Sequence, residues 1–135
     1  MRVGLLAAGL AAALMHDPHG ALARLRESWS RQDAAGVVAG ATRVVVQLPG
    51  EAATAPLSAE QAARAIDRVF RDATELGLEV DAVRTLGNET VYAEMRRRFR
   101  VRGSDGEVVQ RVFAAFRLED DHWRLVELRI GSAGR

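Results

Sequence analysis

The sequence predicts an α+β domain in which a curved antiparallel sheet carries three helices, all from the N-terminal half, on one face. Helix start signals stand at Asp17-Pro18, at Asp33 and at Ser58, and none follows Gly77. Beyond Gly77 the apolar pattern changes to period two and keeps it as far as Ile130. The resulting order is helix, helix, strand, helix and then four strands joined by short turns, which suits helices on one side of an antiparallel meander.

The chain starts with one positive charge at Arg2 and an uncharged apolar run from Val3 to Met15. That run is signal-peptide length and shorter than the roughly 17–25 residues of a membrane span. Small residues suited to cleavage stand at Ala11-Ala12-Ala13 and at Ala21-Leu22-Ala23, and the earlier site spares the first helix. The expected organisation is a leader over residues 1–15 and a single domain over residues 16–135. Export to the periplasm or medium is expected, with no stable membrane span once the leader is removed. The alternative is a buried N-terminal helix of a cytosolic protein.

Asp17 is placed to cap the first helix, and Pro18 fits its first turn, where a missing N–H is no loss. Leu22, Leu25 and Trp29 then share a face. Asp33 caps a second, short helix weakened by glycines. Thr42–Leu48 is β-branched and reads as a strand, followed by a loop over Pro49–Pro56. Ser58 and Gln61 form a capping box for the third helix, with Ala63, Ile66, Phe70 and Ala73 on its buried face and Gly77 as its stop. The four strands expected after it are Leu78–Leu86, Glu89–Arg102, Val108–Leu118 and Trp123–Ile130.

Composition excludes several classes. With 48% hydrophobic and 27% charged residues the chain is globular rather than disordered. A formal net charge of +1 gives no global attraction to polyanions. Every basic residue other than histidine is arginine, the mark of a GC-rich coding bias, and no cysteine is available for disulfides or thiolate metal sites. Phosphate-binding and zinc-peptidase motifs are absent, and neither a metal nor a cofactor is expected.

The run EMRRRFRVRG (Glu94–Gly103) resembles a basic arm but sorts as a strand. Placing a two-residue turn at Asp105-Gly106 sets Phe99 opposite Val112, Met95 opposite Phe116 and Ala93 opposite Leu118 on the helix side. Arg96, Arg98, Arg100 and Arg102 leave on the other side. Arg97 alone points inward, opposite Ala114, and the next hairpin brings Glu127 beside the same alanine. An inward arginine needs an acidic partner or water, and Glu127 is the expected partner unless a bulge shifts the register. The expected ligand pocket is Trp29, Phe70, Met95, Arg97, Phe99, Ala114, Phe116, Trp123 and Glu127. On the outer face, Phe113, Val126, Leu128 and Ile130 form an apolar patch expected to be covered by a second copy of the chain.

Two N-terminal helices with the step Trp29 to Asp33, a strand, a capped helix and four long strands resemble the nuclear transport factor 2-like superfamily over Asp17 to Ile130. The closing Trp123–Ile130, WRLVELRI, is similar to the last strand of an exported bacterial domain-of-unknown-function branch. The resemblance implies a cone, with the helices on the concave face of the sheet and a cavity between. Some members of the superfamily carry out acid–base chemistry there, and others bind ligands or partners. The only tyrosine, Tyr92, falls on the outer face. His16, His19 and His122 have no paired acid at useful spacing.

The function expected is therefore a non-catalytic exported domain that binds a small apolar or amphipathic ligand or a protein partner, as a homodimer through the sheet. An isomerase- or hydrolase-type enzyme using Glu127 with Arg97 is the alternative. Nucleic-acid binding by the outer arginines is not expected.

Overall fold

The computed structural model describes residues 17–132; the expected leader and His16 lie outside them. The described chain runs α1 (Pro18–Ser30), α2 (Ala34–Val37), β1 (Val45–Gln47), α3 (Ala59–Phe70), β2 (Ala73–Leu86), β3 (Thr90–Val101), β4 (Glu107–Glu119) and β5 (His122–Ile130). The strands form one sheet in the order β1-β5-β4-β3-β2. The meander β2 to β5 is antiparallel as expected, while β1 joins the far edge parallel to β5 and makes the sheet mixed. The fold is α+β, and the helices cover one face of the sheet.

The helix starts follow local chemistry. The Asp17 carboxylate accepts from the His19 N–H at 2.9 Å, and Asp33 caps α2 through Gly36 N–H at 3.0 Å. Both halves of the capping box at α3 are made, Gln61 N–H to Ser58 Oγ at 3.2 Å and Ser58 N–H to Gln61 Oε1 at 3.1 Å. These satisfy donors that a helix start otherwise leaves open. α2 is a single turn that lies close against α1. A Cβ at Gly36 would lie 2.5 Å from Ser28 Oγ and 2.5 Å from Asp33 Oδ2.

α3 ends earlier than its composition suggests. The chain leaves the helix at Phe70, and Ala73 to Gly77 belong to β2 rather than to a longer helix. The cause is a partner distant in sequence. Gln32 donates to the Phe70 carbonyl at 3.3 Å and the Ala73 carbonyl at 3.0 Å, and accepts from Glu75 N–H at 3.1 Å. One amide side chain thus satisfies the backbone of the helix-to-strand passage, so tertiary contact overrides helix propensity.

Turns and bulges fix the sheet. β3 and β4 pair four residues away from the expected register, so Arg97 faces Gln110, Met95 faces Val112 and Phe99 faces Val108. The turn forms at Val101–Ser104, with Ser104 N–H donating to Val101 at 3.0 Å and Gly103 at φ 82°. Because the displacement is even, every β3 side chain keeps its expected face. β4 and β5 meet through Asp120 and Asp121, both at positive φ, as a two-residue hairpin turn requires. Leu118 faces Trp123 and Phe116 faces Leu125 as expected, but a bulge then makes Val126 an extra residue. Two further irregularities in β2, at Leu76 and Asp81, add to the bending of the sheet.

Past the bulge at Val126 the faces of β5 exchange. Leu128 and Ile130 turn inward and are buried, at 0% and 2% exposure, which removes them from the expected outer interface. The core lies between the helices and the inner sheet face, with Trp29, Ile66, Met95, Val112 and Leu128 fully enclosed and Val46 of β1 packed among them.

Candidate functional site

The interior of the domain holds an ion pair. Arg97 on β3 is 2% exposed, and the side chain of Glu75 on β2 is fully covered. Arg97 donates Nε to Glu75 Oε1 at 2.8 Å and Nη2 to Glu75 Oε2 at 2.5 Å, a two-pronged contact suited to a planar guanidinium. Its Nη1 donates to Gln110 Oε1 on β4 at 2.8 Å, and Nη2 also reaches the Val69 carbonyl of α3 at 3.4 Å. Trp29 Nε1 of α1 donates to Glu75 Oε1 at 2.7 Å.

Aromatic rings close around the charges. The Arg97 guanidinium carbon lies 3.7 Å from the Phe99 ring centre, where the ring's negative face favours a cation. Trp29 and Phe70 meet edge to face with centroids 5.0 Å apart. Among the described residues no buried side-chain nitrogen or oxygen lacks a hydrogen-bond partner. Both carboxylate oxygens of Glu75 are engaged inside the protein.

An open cleft lies elsewhere, between α1, α2 and the hairpin of β4 and β5. It encloses about 620 Å³, within the range of small-ligand sites. Leu25, Val37, Phe116, Trp123 and Leu125 provide apolar wall; Arg24, Arg31, Arg124, Glu27, Asp33 and His122 provide polar wall. Most of these charges are already engaged. Arg31 stands 3.6 Å from Glu27, Asp33 caps α2, and Arg124 donates to the Gly40 carbonyl at 2.6 Å. Neither Arg97 nor Glu75 lines this cleft.

The expected pocket is thus divided. Trp29, Phe70, Met95 and Phe99 are buried in the part of the core that holds Arg97, Ala114 is buried opposite Ala93 rather than Arg97, and Phe116 and Trp123 reach the cleft. Glu127 is not beside Arg97: the Val126 bulge puts it opposite Ala115 and next to Val45 of β1, where it accepts from Arg129 Nε. The acid that sequence reasoning missed is Glu75, assigned to a helix that does not extend so far, and Gln110 was missed with the register. The need of an inward arginine for a carboxylate was the available signal, and the irregular spacing of β2 concealed which one meets it. Of the expected outer patch, Phe113 and Val126 remain half-buried and away from the core. His122 is the first residue of β5 and lines the cleft, while His19 stays exposed in α1.

The outer face is basic but largely neutralised. Arg96 pairs with Asp81 at 3.1 Å and with Glu79 at 3.3 Å. Arg98 reaches Glu107 at 2.8 Å, and this guanidinium holds the Glu107 carboxyl below the usual carboxylate range while its own value is raised. No group of three His, Cys, Asp or Glu side chains able to hold a metal occurs among the described residues.

No protein-family model matches the chain, and no curated protein matches it in sequence. Solved structures do match in fold. A ketosteroid isomerase-like protein from Erwinia carotovora atroseptica superposes with a TM-score of 0.72 at 15% identity, over 91% of this chain and 95% of that one. A DUF4783 family protein from Bacteroides ovatus gives 0.70 at 13% identity, over 90% of this chain and 99% of that one. An NTF-2 like protein of unknown function from Shewanella oneidensis gives 0.59 at 12% identity, over 83% and 93%. At these identities the likeness is one of fold: the chain has the nuclear transport factor 2-like architecture that its element order resembles.

Proposed function

We propose that the protein is a non-catalytic binding domain that takes a small apolar or amphipathic ligand in the cleft between α1, α2 and the β4–β5 hairpin. The observation that carries this reading is the division of the interior. The one buried acid–arginine pair among the described residues is satisfied internally and walled off by Trp29 and Phe99, while the open cleft elsewhere has a mixed wall, apolar at Phe116, Trp123 and Leu125 and polar at its arginines and acids. A general base has to reach its substrate, and Glu75 spends both oxygens on Arg97 and Trp29. Glu127, the other candidate base, stands away from Arg97 with Arg129.

Export is part of the proposal and rests on the charge and length of the first fifteen residues. A dimer through the outer sheet face is a further part, now centred on Phe113 and Val126. Native mass spectrometry of protein exported by a bacterial host, followed by the same sample denatured, tests all three. The expected result is a chain shortened by its leader, a dimer, and extra mass released on denaturation. An uncleaved chain would overturn export and a monomer the dimer. A chain that carries no ligand and takes up none from a panel of small amphiphiles would overturn the binding reading.

A further inference from the structure

We infer that the ligand of this cleft is an amphipathic anion, an apolar body ending in a carboxylate, with the carboxylate taken by Arg24. This rests on the binding reading above and adds the charge of the ligand to it. Glu27 and Arg31 face one another at 3.6 Å, one turn apart on α1. Asp33 accepts from the Gly36 N–H that starts α2. Arg124 donates to the Gly40 carbonyl and has Glu119 at 3.9 Å. Asp33 is thus held by a backbone donor and Glu27 by an exposed ion pair, and Arg24 is the arginine of the wall with no hydrogen bond or ion pair among the described residues.

Position supports the same sign. Arg24 lies on α1 one residue before Leu25, a buried core residue that also lines the cleft, and Phe116, Trp123 and Leu125 wall the cleft from the hairpin side. An arginine beside an apolar wall offers several N–H donors in one plane, and a carboxylate matches that fork with two oxygens. A cationic ligand would meet Arg24 and would have to compete with Arg31 for Glu27. A neutral ligand would gain nothing from the guanidinium, which stays exposed to water. A carboxylate with a chain or ring behind it satisfies both halves of the wall.

Isothermal titration with octanoate, 1-octanol and octylammonium tests the inference on the full exported chain. Wild type is expected to bind octanoate about tenfold more tightly than octanol, the effect of one charge-assisted hydrogen bond, and octylammonium least well. Arg24→Gln should remove the octanoate advantage and leave octanol unchanged; Arg24 is exposed and unpaired, so the variant should fold. Trp123→Ala should weaken octanoate and octanol alike. Equal binding of octanoate and octanol, or an octanoate affinity indifferent to Arg24→Gln, would overturn the anion and leave the binding cleft standing. Binding indifferent to Trp123→Ala would overturn this location for it. Absence of binding by all three probes would overturn the cleft reading and the inference together.

Discussion

Arg97 and Glu75 join β3 to β2 although they are not opposite one another: Glu75 faces Phe99 in the ladder, and the Leu76 bulge lets its carboxylate reach back to Arg97. The pair is completed by Gln110 and Trp29, so four elements share one set of hydrogen bonds. Its value lies in complementarity, because each charge is tolerable inside only while the other is present.

Removing one member should therefore cost far more than removing both. Arg97→Met alone leaves a buried carboxylate and is expected to destabilise by about 3–5 kcal/mol. Arg97→Met with Glu75→Gln should recover a substantial part, since a glutamine oxygen can still accept from Trp29. Urea denaturation of wild type, each single variant and the double variant measures the difference, and additive losses would contradict the pairing.

Gly36→Ala should destabilise by about 1–3 kcal/mol through overpacking. The added methyl meets Ser28 Oγ and Cβ at 2.5 and 2.9 Å as well as the capping carboxylate of Asp33. Ser28 is buried and cannot move out of the way. A thermal melt unchanged by this substitution would mean that the helices cross less closely than described.

The Glu107 carboxyl is held low in the folded protein by Arg98 and returns to the ordinary range on unfolding. The contribution is thus complete above the ordinary glutamate range and is lost as pH falls below it, through the lower folded value. Glu107→Gln should lower stability slightly at neutral pH and leave the acid end unchanged, so that the slope between the two flattens. Because the pair is exposed the effect should be small and shrink in high salt.

Most of the fold was legible because it is written in local patterns. Caps at Asp17, Asp33 and Ser58 and the alternation of β3 needed no knowledge of distant residues, and the inward direction of Arg97 survived a wrong turn because the register error was even. What was not legible depended on tertiary contact. Nothing between Arg71 and Gly77 ends a helix by itself; Gln32, in the turn after α1, supplies the bonds that do. The expected partner Glu127 failed twice, at the β3–β4 register that carries Ala114 away from Arg97 and at the Val126 bulge, where the run Leu125, Val126, Glu127, Leu128 fits either face pattern. The cleft went unseen because Arg24, Arg31 and Arg124 meet only when α1 and β5 are brought together.

The parallel contact of β1 with β5 carries a consequence for the order of assembly. β2 to β5 are hairpins whose partners are neighbours in sequence, whereas Gln47 meets Arg129 across a separation of 82 residues. Closing so long a loop loses chain entropy before any contact returns it, and β1 has only three residues to offer. The meander is expected to condense first and the edge strand to dock late. Val46→Ala should then accelerate unfolding and leave the refolding rate nearly unchanged in stopped-flow measurements; a slowed refolding limb would place β1 in the nucleus. In that sequence of events the first strand of the chain is the last to arrive, and the far edge of the sheet is where the native protein opens soonest.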